Sequence, residues 1–186
     1  METSWSSAGP IPGDPDWAGG TSFTDRREIE VAARPDAVFR AVCRIGGGHG
    51  WYAADWLWRV RGWIDQLVGG PGLRRGRRDP ERVAFGEALD FWRVTALERN
   101  RHLALRAEMK LPGEALLEFE VEPTQGGSRL VQTARFLPRG LFGLAYWYAV
   151  LPLHAIVFRG MLQGIRRAAE QTAEHAGTAS AAEPTR

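Results

Sequence analysis

The stretch "LVGGPGLRRGRRDPERVAFG", Leu67 to Gly86, sets four arginines in five positions directly behind a cluster of glycines. Those residue types could cradle a phosphate, grip a nucleic acid or hold an acidic ligand. A dinucleotide fingerprint needs G-x-G-x-x-G between a strand and a helix, so that the helix N-terminus meets the pyrophosphate. Here the glycines are out of register, a helical pattern precedes them, and Asp79-Pro80 stands where a helix would open. A Walker loop would need Gly-Lys-Ser/Thr, which the stretch does not contain. Nucleic-acid binding would pair the arginines with Trp51, Trp56, Trp58 and Trp63 as stacking platforms. Several of those tryptophans instead fall on a helical stripe expected in the core, and the basic run is one short segment. Two readings stay open. The arginines cap carbonyls and pair with Asp65, Asp79 or Asp90, or Arg74 and Arg77 hold an acidic group of an apolar ligand through the guanidinium fork.

Other chemistry-bearing residues are few. His49, His102, His154 and His175 share no metal-ligand spacing, and Cys43 is the only cysteine, so neither a metal site nor a cofactor is expected. No G-x-S-x-G elbow occurs. His154 falls on a helix stripe facing the sheet, either as a core histidine or as a general base. In "ALDFWRV" either Asp90, Trp92 and Val94 or Leu89, Phe91 and Arg93 face inward. Both choices bring a charge toward the core, where it needs a partner. Asp90, Arg93 and His154 are therefore the catalytic candidates, each with a structural alternative.

The elements that must position these residues follow from periodicity. Residues 1–20 are rich in Gly, Pro, Ser and Asp and read as a disordered or extended lead. Residues 176–186 read as a disordered tail, leaving one domain over 21–175. The acidic second residue and the missing apolar run argue against a secretory signal. "SFTDRREIEVAA" predicts a strand ending near Arg34. Pro35 opens a helix with Val38, Val42 and Ile45 buried, which the glycines at 46–48 stop. A second helix over Asp55–Val68 is expected to bury Trp56, Val60, Trp63 and Leu67. From Glu87 the period becomes two. "HLALRAEMKL" aligns Leu103, Leu105, Ala107, Met109 and Leu111. "ALLEFEVEP" aligns Ala115, Leu117, Phe119 and Val121, and "RLVQTARFLP" aligns Leu130, Gln132, Ala134 and Phe136. A glutamate row would then lie between strands bearing Arg106/Lys110 and Arg129/Arg135. The last element, Gly140 to about His175, carries an unbroken apolar stripe through Leu144, Tyr148, Leu151, Ala155, Phe158 and Leu162, widened by Trp147. Pro152 is expected in the first turn of a second helix there. "LFGLAYWYAVLPLHAIVF" is uncharged over a length that touches the transmembrane range. A buried helix, or one lying on a membrane surface, fits it better than a span.

A strand, two helices, an antiparallel meander and a long terminal helix make an α+β helix-grip order, with the curved sheet wrapped around the last helix. The elements "RPDAVF" and "FLPRGLFGLAYWYAVLPLHAIVFRGML" resemble the START-like (SRPBCC) superfamily. "GGGHGWYAADWLWRVRGWIDQLVGGPGLRRGRRDP", "LDFWRV" and "LRAEMKLPGEALLEFEV" resemble, more narrowly, the family called domain of unknown function 2867. The resemblance implies a cavity for a hydrophobic or amphipathic small molecule. In that family the domain is often fused to a reductase-like NAD(P)-binding domain, which implies that this protein either acts alone or meets such a reductase in trans. The cavity would be lined by Trp92, Met109, Phe119, Gln132, Phe136 and Trp147, with Trp51, Tyr52, Arg74 and Arg77 at its mouth. Two functions follow as expectations: a cytoplasmic ligand-binding domain, or a cyclase- or dehydratase-type enzyme using Asp90, Arg93 or His154.

Overall fold

The computed structural model describes residues 22–67, 69–70, 72 and 77–181, with side chains to 175. Strand β1 (Phe23–Val31) leads into helix α1 (Pro35–Cys43), a short 3-10 turn (Gly47–His49) and helix α2 (Asp55–Leu67). Strands β2 (Ala88–Leu89), β3 (Trp92–Glu98), β4 (His102–Ala107), β5 (Gly113–Thr124) and β6 (Gly127–Pro138) follow, then helix α3 (Gly140–Ala181). The six strands form one antiparallel sheet in the order β1-β6-β5-β4-β3-β2. This is the helix-grip architecture that the order of elements predicts.

The period-two reading fixes the sheet's two faces. Leu103, Leu105, Leu117, Phe119, Val121 and Leu130 are buried on the inner one. On the outer face three glutamates of β5 pair with arginines of the neighbouring strands, which meets the expected ladder in part. Arg106 meets Glu114, Arg135 meets Glu118 and Arg129 meets Glu122. Helix α1 begins at Pro35, whose missing N–H costs nothing in a first turn, and buries Val38 and Val42 completely.

The structure departs from the sequence reading in five places. β1 stops at Val31 rather than Arg34. β4 ends at Ala107, because residues 108–112 cross from β4 to β5 as a connection. α3 is one helix through Pro152, not two. Pro152 and Tyr148 both lie on the exposed side, where water can take the carbonyl that Pro152 leaves without a donor. That helix also continues past His175 to Ala181, so the segment 176–181 is helical rather than a disordered tail. The lead at 1–20 lies outside the described residues.

The fifth departure concerns α2, which is rotated from the expected phase. Its Trp56, Val60, Trp63 and Leu67 face outward, and its fully buried positions are Gly62 and Asp65. Asp65 accepts the backbone N–H groups of Lys110 (2.6 Å) and Gly72 (2.9 Å), with the Arg61 guanidinium 3.7 Å away. A buried carboxylate needs such partners, and satisfying Asp65 sets which face of α2 turns inward.

Candidate functional site

A cavity of about 240 Å³ opens between α2, α3 and the inner sheet face. Its walls come from Trp58 and Ile64 of α2, Trp92 and Met109 beside β3 and β4, and Trp147 and His154 of α3, with other apolar residues between them. Two aromatic clusters hold these walls. Trp147 lies between Phe23 (5.3 Å) and Phe136 (5.6 Å), both nearly parallel to it, which seats the start of α3 on β1 and β6. Trp51, Trp58, Phe91 and Trp92 pack together with ring centres 5.1–6.3 Å apart, which ties α2 to the β2–β3 turn. Such aromatic pairs add about 0.5–1.5 kcal/mol each beyond the area they bury.

The wall is mostly apolar, and three of its polar atoms are unpartnered. The indole N–H of Trp58, the indole N–H of Trp92 and Nδ1 of His154 are buried without a hydrogen-bond partner among the described residues. The His154 ring is packed edge-on to Trp147 (5.2 Å) and beside Phe158 (4.5 Å). Burial pushes its pKa down to about 4. The nearby Asp25 opposes that shift and Arg27 assists it. His154 is thus a neutral imidazole at neutral pH. The two cations on the wall are engaged. Arg61 donates to the Lys110 carbonyl and faces Asp65, while Arg135 is held by Glu118.

A second, wider depression of about 750 Å³ lies beside α1, lined by Asp36, Arg40, Cys43, Glu81 and Arg99. It is larger but more polar than the first, and its two acids are held in the pairs Arg40–Asp36 and Arg44–Glu81. Burial pushes the Cys43 thiol there up to about 12, so it is no nucleophile. The smaller apolar cavity is the better candidate site.

Of the residues that the sequence pointed to, the cavity takes in Trp92, Met109, Phe136, Trp147 and His154. Phe119 is buried core and does not reach it. Gln132 shares the inward face with Ala134 and Phe136 but sits deeper. It is 1% exposed, and both its amide atoms lack partners among the described residues. Trp51 and Tyr52 do not form the mouth. Trp51 is buried and donates its indole N–H to Asp90 (2.8 Å), and the Tyr52 hydroxyl donates to the Ala41 carbonyl (2.9 Å). Asp90 also accepts from the Gly47 N–H, and so knots the glycine turn to the β2–β3 corner, away from the cavity. The residue adopts φ +55°, which breaks the alternation and lets Leu89, Phe91, Trp92 and Val94 all be buried. Arg93 turns to the sheet's other side, bound to Glu108 and the Gly86 carbonyl. Arg77 donates to the carbonyls of Ile45, Pro80 and Arg82, so it staples its own loop rather than a ligand. Arg74 lies outside the described residues.

Two features escaped the sequence reading. Trp58 was hidden because the more apolar side of α2 was taken as the inner one. Asp25 and Arg27 form an inward ion pair (2.9 Å), with Asp25 3% exposed. Counting back in twos from Val31 and Ile29 reaches both, so that signal was present. No group of three or more potential metal ligands occurs among the described residues.

Comparison with known proteins bears on the fold and the family. A norcoclaurine synthase point mutant from Thalictrum flavum, in complex with a transition-state analogue, superposes with a TM-score of 0.50 at 12% identity, over 83% of this chain and 98% of that one. The di-domain ARO/CYC StfQ of the steffimycin biosynthetic pathway gives 0.49 at 13% identity, over 82% of this chain and 52% of that one. Protein MLL2253 from Mesorhizobium loti gives 0.44 at 14% identity, over 77% and 97%. At these identities the likeness is one of fold. No curated protein matches the chain. The profile of the family described as "Protein of unknown function (DUF2867)" matches residues 17–161, most of the chain, and the chain belongs to that family.

Proposed function

We propose that this protein binds a small, flat, largely apolar and uncharged molecule carrying a carbonyl-type acceptor. The observation that carries the reading is the trio of unpartnered nitrogens, on Trp58, Trp92 and His154, in a mostly apolar wall. A buried donor left unpaired costs about 1–3 kcal/mol. An indole N–H can only donate, so its missing partner is an acceptor. A charged group finds no complement, because Arg61 and Arg135 are already engaged. An apolar cavity of ~150 Å³ accepts a benzene, and at 240 Å³ this one suits a fused-ring molecule.

A cyclase- or dehydratase-type activity is the second reading, favoured by one observation. His154 is neutral, has a free ring nitrogen and faces the space where a ligand would lie. It is the imidazole of the wall, unprotonated at neutral pH and so able to act as a base, though a weak one with its pKa near 4.

Native against denaturing mass spectrometry of freshly purified protein tests occupancy directly. A matched pair, 9-fluorenone and fluorene, tests the chemistry, because the two differ only at the acceptor. The ketone should bind roughly tenfold tighter, and the preference should vanish in the Trp58→Phe/Trp92→Phe double variant, which keeps an aromatic ring at each position and removes both donors. Equal affinity for the two compounds in the unsubstituted protein would refute the reading.

A further inference from the structure

The outer faces of α2 and α3 carry large apolar side chains where a globular surface is normally polar. On α2 these are Trp56, Val60, Trp63, Ile64 and Leu67, with Trp63 62% exposed. On α3 they are Leu141, Phe142, Tyr148, Leu153 and Ile156, with Ile156 68% exposed. The two faces meet at the cavity. Val60 and Ile64 on one side, and Leu153 on the other, are both exposed and part of its lining. The most apolar window of α3 has a mean hydropathy of 1.7, yet only 22% of it is buried, so core packing does not explain its composition.

We propose that these two faces form one surface that docks on an anionic lipid bilayer, with the cavity mouth turned toward the lipid. The outward positions Leu141, Phe142, Ala145, Ala149, Leu153 and Ile156 offer no hydrogen-bonding side chain. A protein partner's interface carries about one hydrogen bond per 100–200 Å², whereas acyl chains require none. Tryptophan and tyrosine at the edges suit the headgroup level. The charges complement anionic headgroups. Arg59 shares the outward side of α2 with Trp56 and Trp63, and Arg159 follows Ile156 on α3. Both are exposed and make no ion pair among the described residues. Lys110 is exposed on the connection between β4 and β5, its backbone clamped to α2 by Arg61 and Asp65. Arg139 shares the single carboxylate of Glu114 with Arg106. Of the acids nearby, Asp65 is fully buried with Arg61 facing it, and Asp55 accepts the Trp51 N–H. α3 lies along the sheet through Trp147, Phe158 and Met161, so it rests on the bilayer instead of crossing it. The docking surface stands without the cavity reading. Only the transfer of ligand from the bilayer into the cavity rests on it.

The test is co-sedimentation of the full chain with phosphatidylcholine vesicles, with and without phosphatidylglycerol. Binding should require phosphatidylglycerol and weaken with salt. The Arg59→Glu/Arg159→Glu variant should lose roughly 30-fold in partitioning, and Trp63→Gln/Ile156→Gln roughly tenfold or more. These positions are exposed, so melting temperatures should be unchanged, and so should fluorenone affinity. Vesicle binding without fluorenone binding would sink the cavity reading alone. Absence of vesicle binding, binding indifferent to both variants, or a soluble dimer abolished by Trp63→Gln/Ile156→Gln would overturn the docking surface.

Discussion

Replacing His154 by phenylalanine should remove a specific part of the protein's acid sensitivity. In the folded state burial holds the imidazole near a pKa of about 4, against 6.5 for the free side chain. The unfolded chain therefore takes up a proton between those values while the folded protein does not. A depressed pKa contributes stability that is present above about 6.5 and lost as pH falls toward 4. At 1.36 kcal/mol per unit, the loss attributable to this one ring is about 3 kcal/mol. Asp25 and Arg27 of β1 both act on the ring, and acids elsewhere titrate in the same range, so the informative quantity is a difference. Phenylalanine keeps the ring contacts with Trp147 and Phe158 and carries no proton. Urea unfolding of both proteins should be followed by circular dichroism, since the substitution touches a tryptophan and would alter fluorescence. Wild-type stability minus variant stability should be flat above pH 7 and fall by about 3 kcal/mol down to pH 4. Parallel stability curves over that interval would show that the ring protonates freely in the fold. The neutral His154 invoked for the site would then be wrong.

Asp90→Ala should cost about 3 kcal/mol, because it strands the buried Gly47 and Trp51 donors. Asp90→Asn should cost much less in the same urea titrations, since it keeps an acceptor and tolerates the positive φ. Gly160 and Gly164 of α3 receive Ala53 and Tyr52. A Cβ on Gly160 would stand 2.7 Å from that of Ala53, and one on Gly164 would press closer on Tyr52. Gly164→Ala should therefore destabilise by about 1–3 kcal/mol. Gly48→Ala, which meets nothing within 4 Å, should leave the melting temperature unmoved. The Glu118 carboxylate, 3.6 Å from the ring, raises the pKa of His102 above its usual 6.5. Its contribution to stability is thus present at acid pH and lost as pH climbs through the raised value. An NMR titration should place its midpoint above 6.5 and show it fall in Glu118→Gln.

Periodicity alone carried the reading of the sheet because each strand has one face that must leave water. Leu117 and Phe119 cannot exchange sides with Glu118 without burying a charge, so the alternation has one solution. The same logic failed on α2 because it assumes that the more apolar stripe is the inner one. The inner stripe there is instead Trp58, Arg61, Gly62 and Asp65. It is set by a carboxylate bonded to Gly72, beyond the helix end, and to Lys110, far along the chain, and no window on the helix itself contains either. Asp90 was named, but its orientation and role stayed open for a related reason, since its partners Gly47 and Trp51 are distant and its backbone conformation cancels the period-two count. These failures are informative in themselves. A helix that could have buried Trp56, Trp63 and Leu67 leaves them in water and spends its inner face on a polar clamp. α3 keeps an uncharged half that is mostly uncovered by its own fold. Ordinary stability does not select for that arrangement, because large apolar groups left exposed favour aggregation. The outward face of α2 and the uncovered half of α3 therefore share one explanation, a surface whose partner is itself apolar, and vesicle binding by the intact chain puts that explanation at risk.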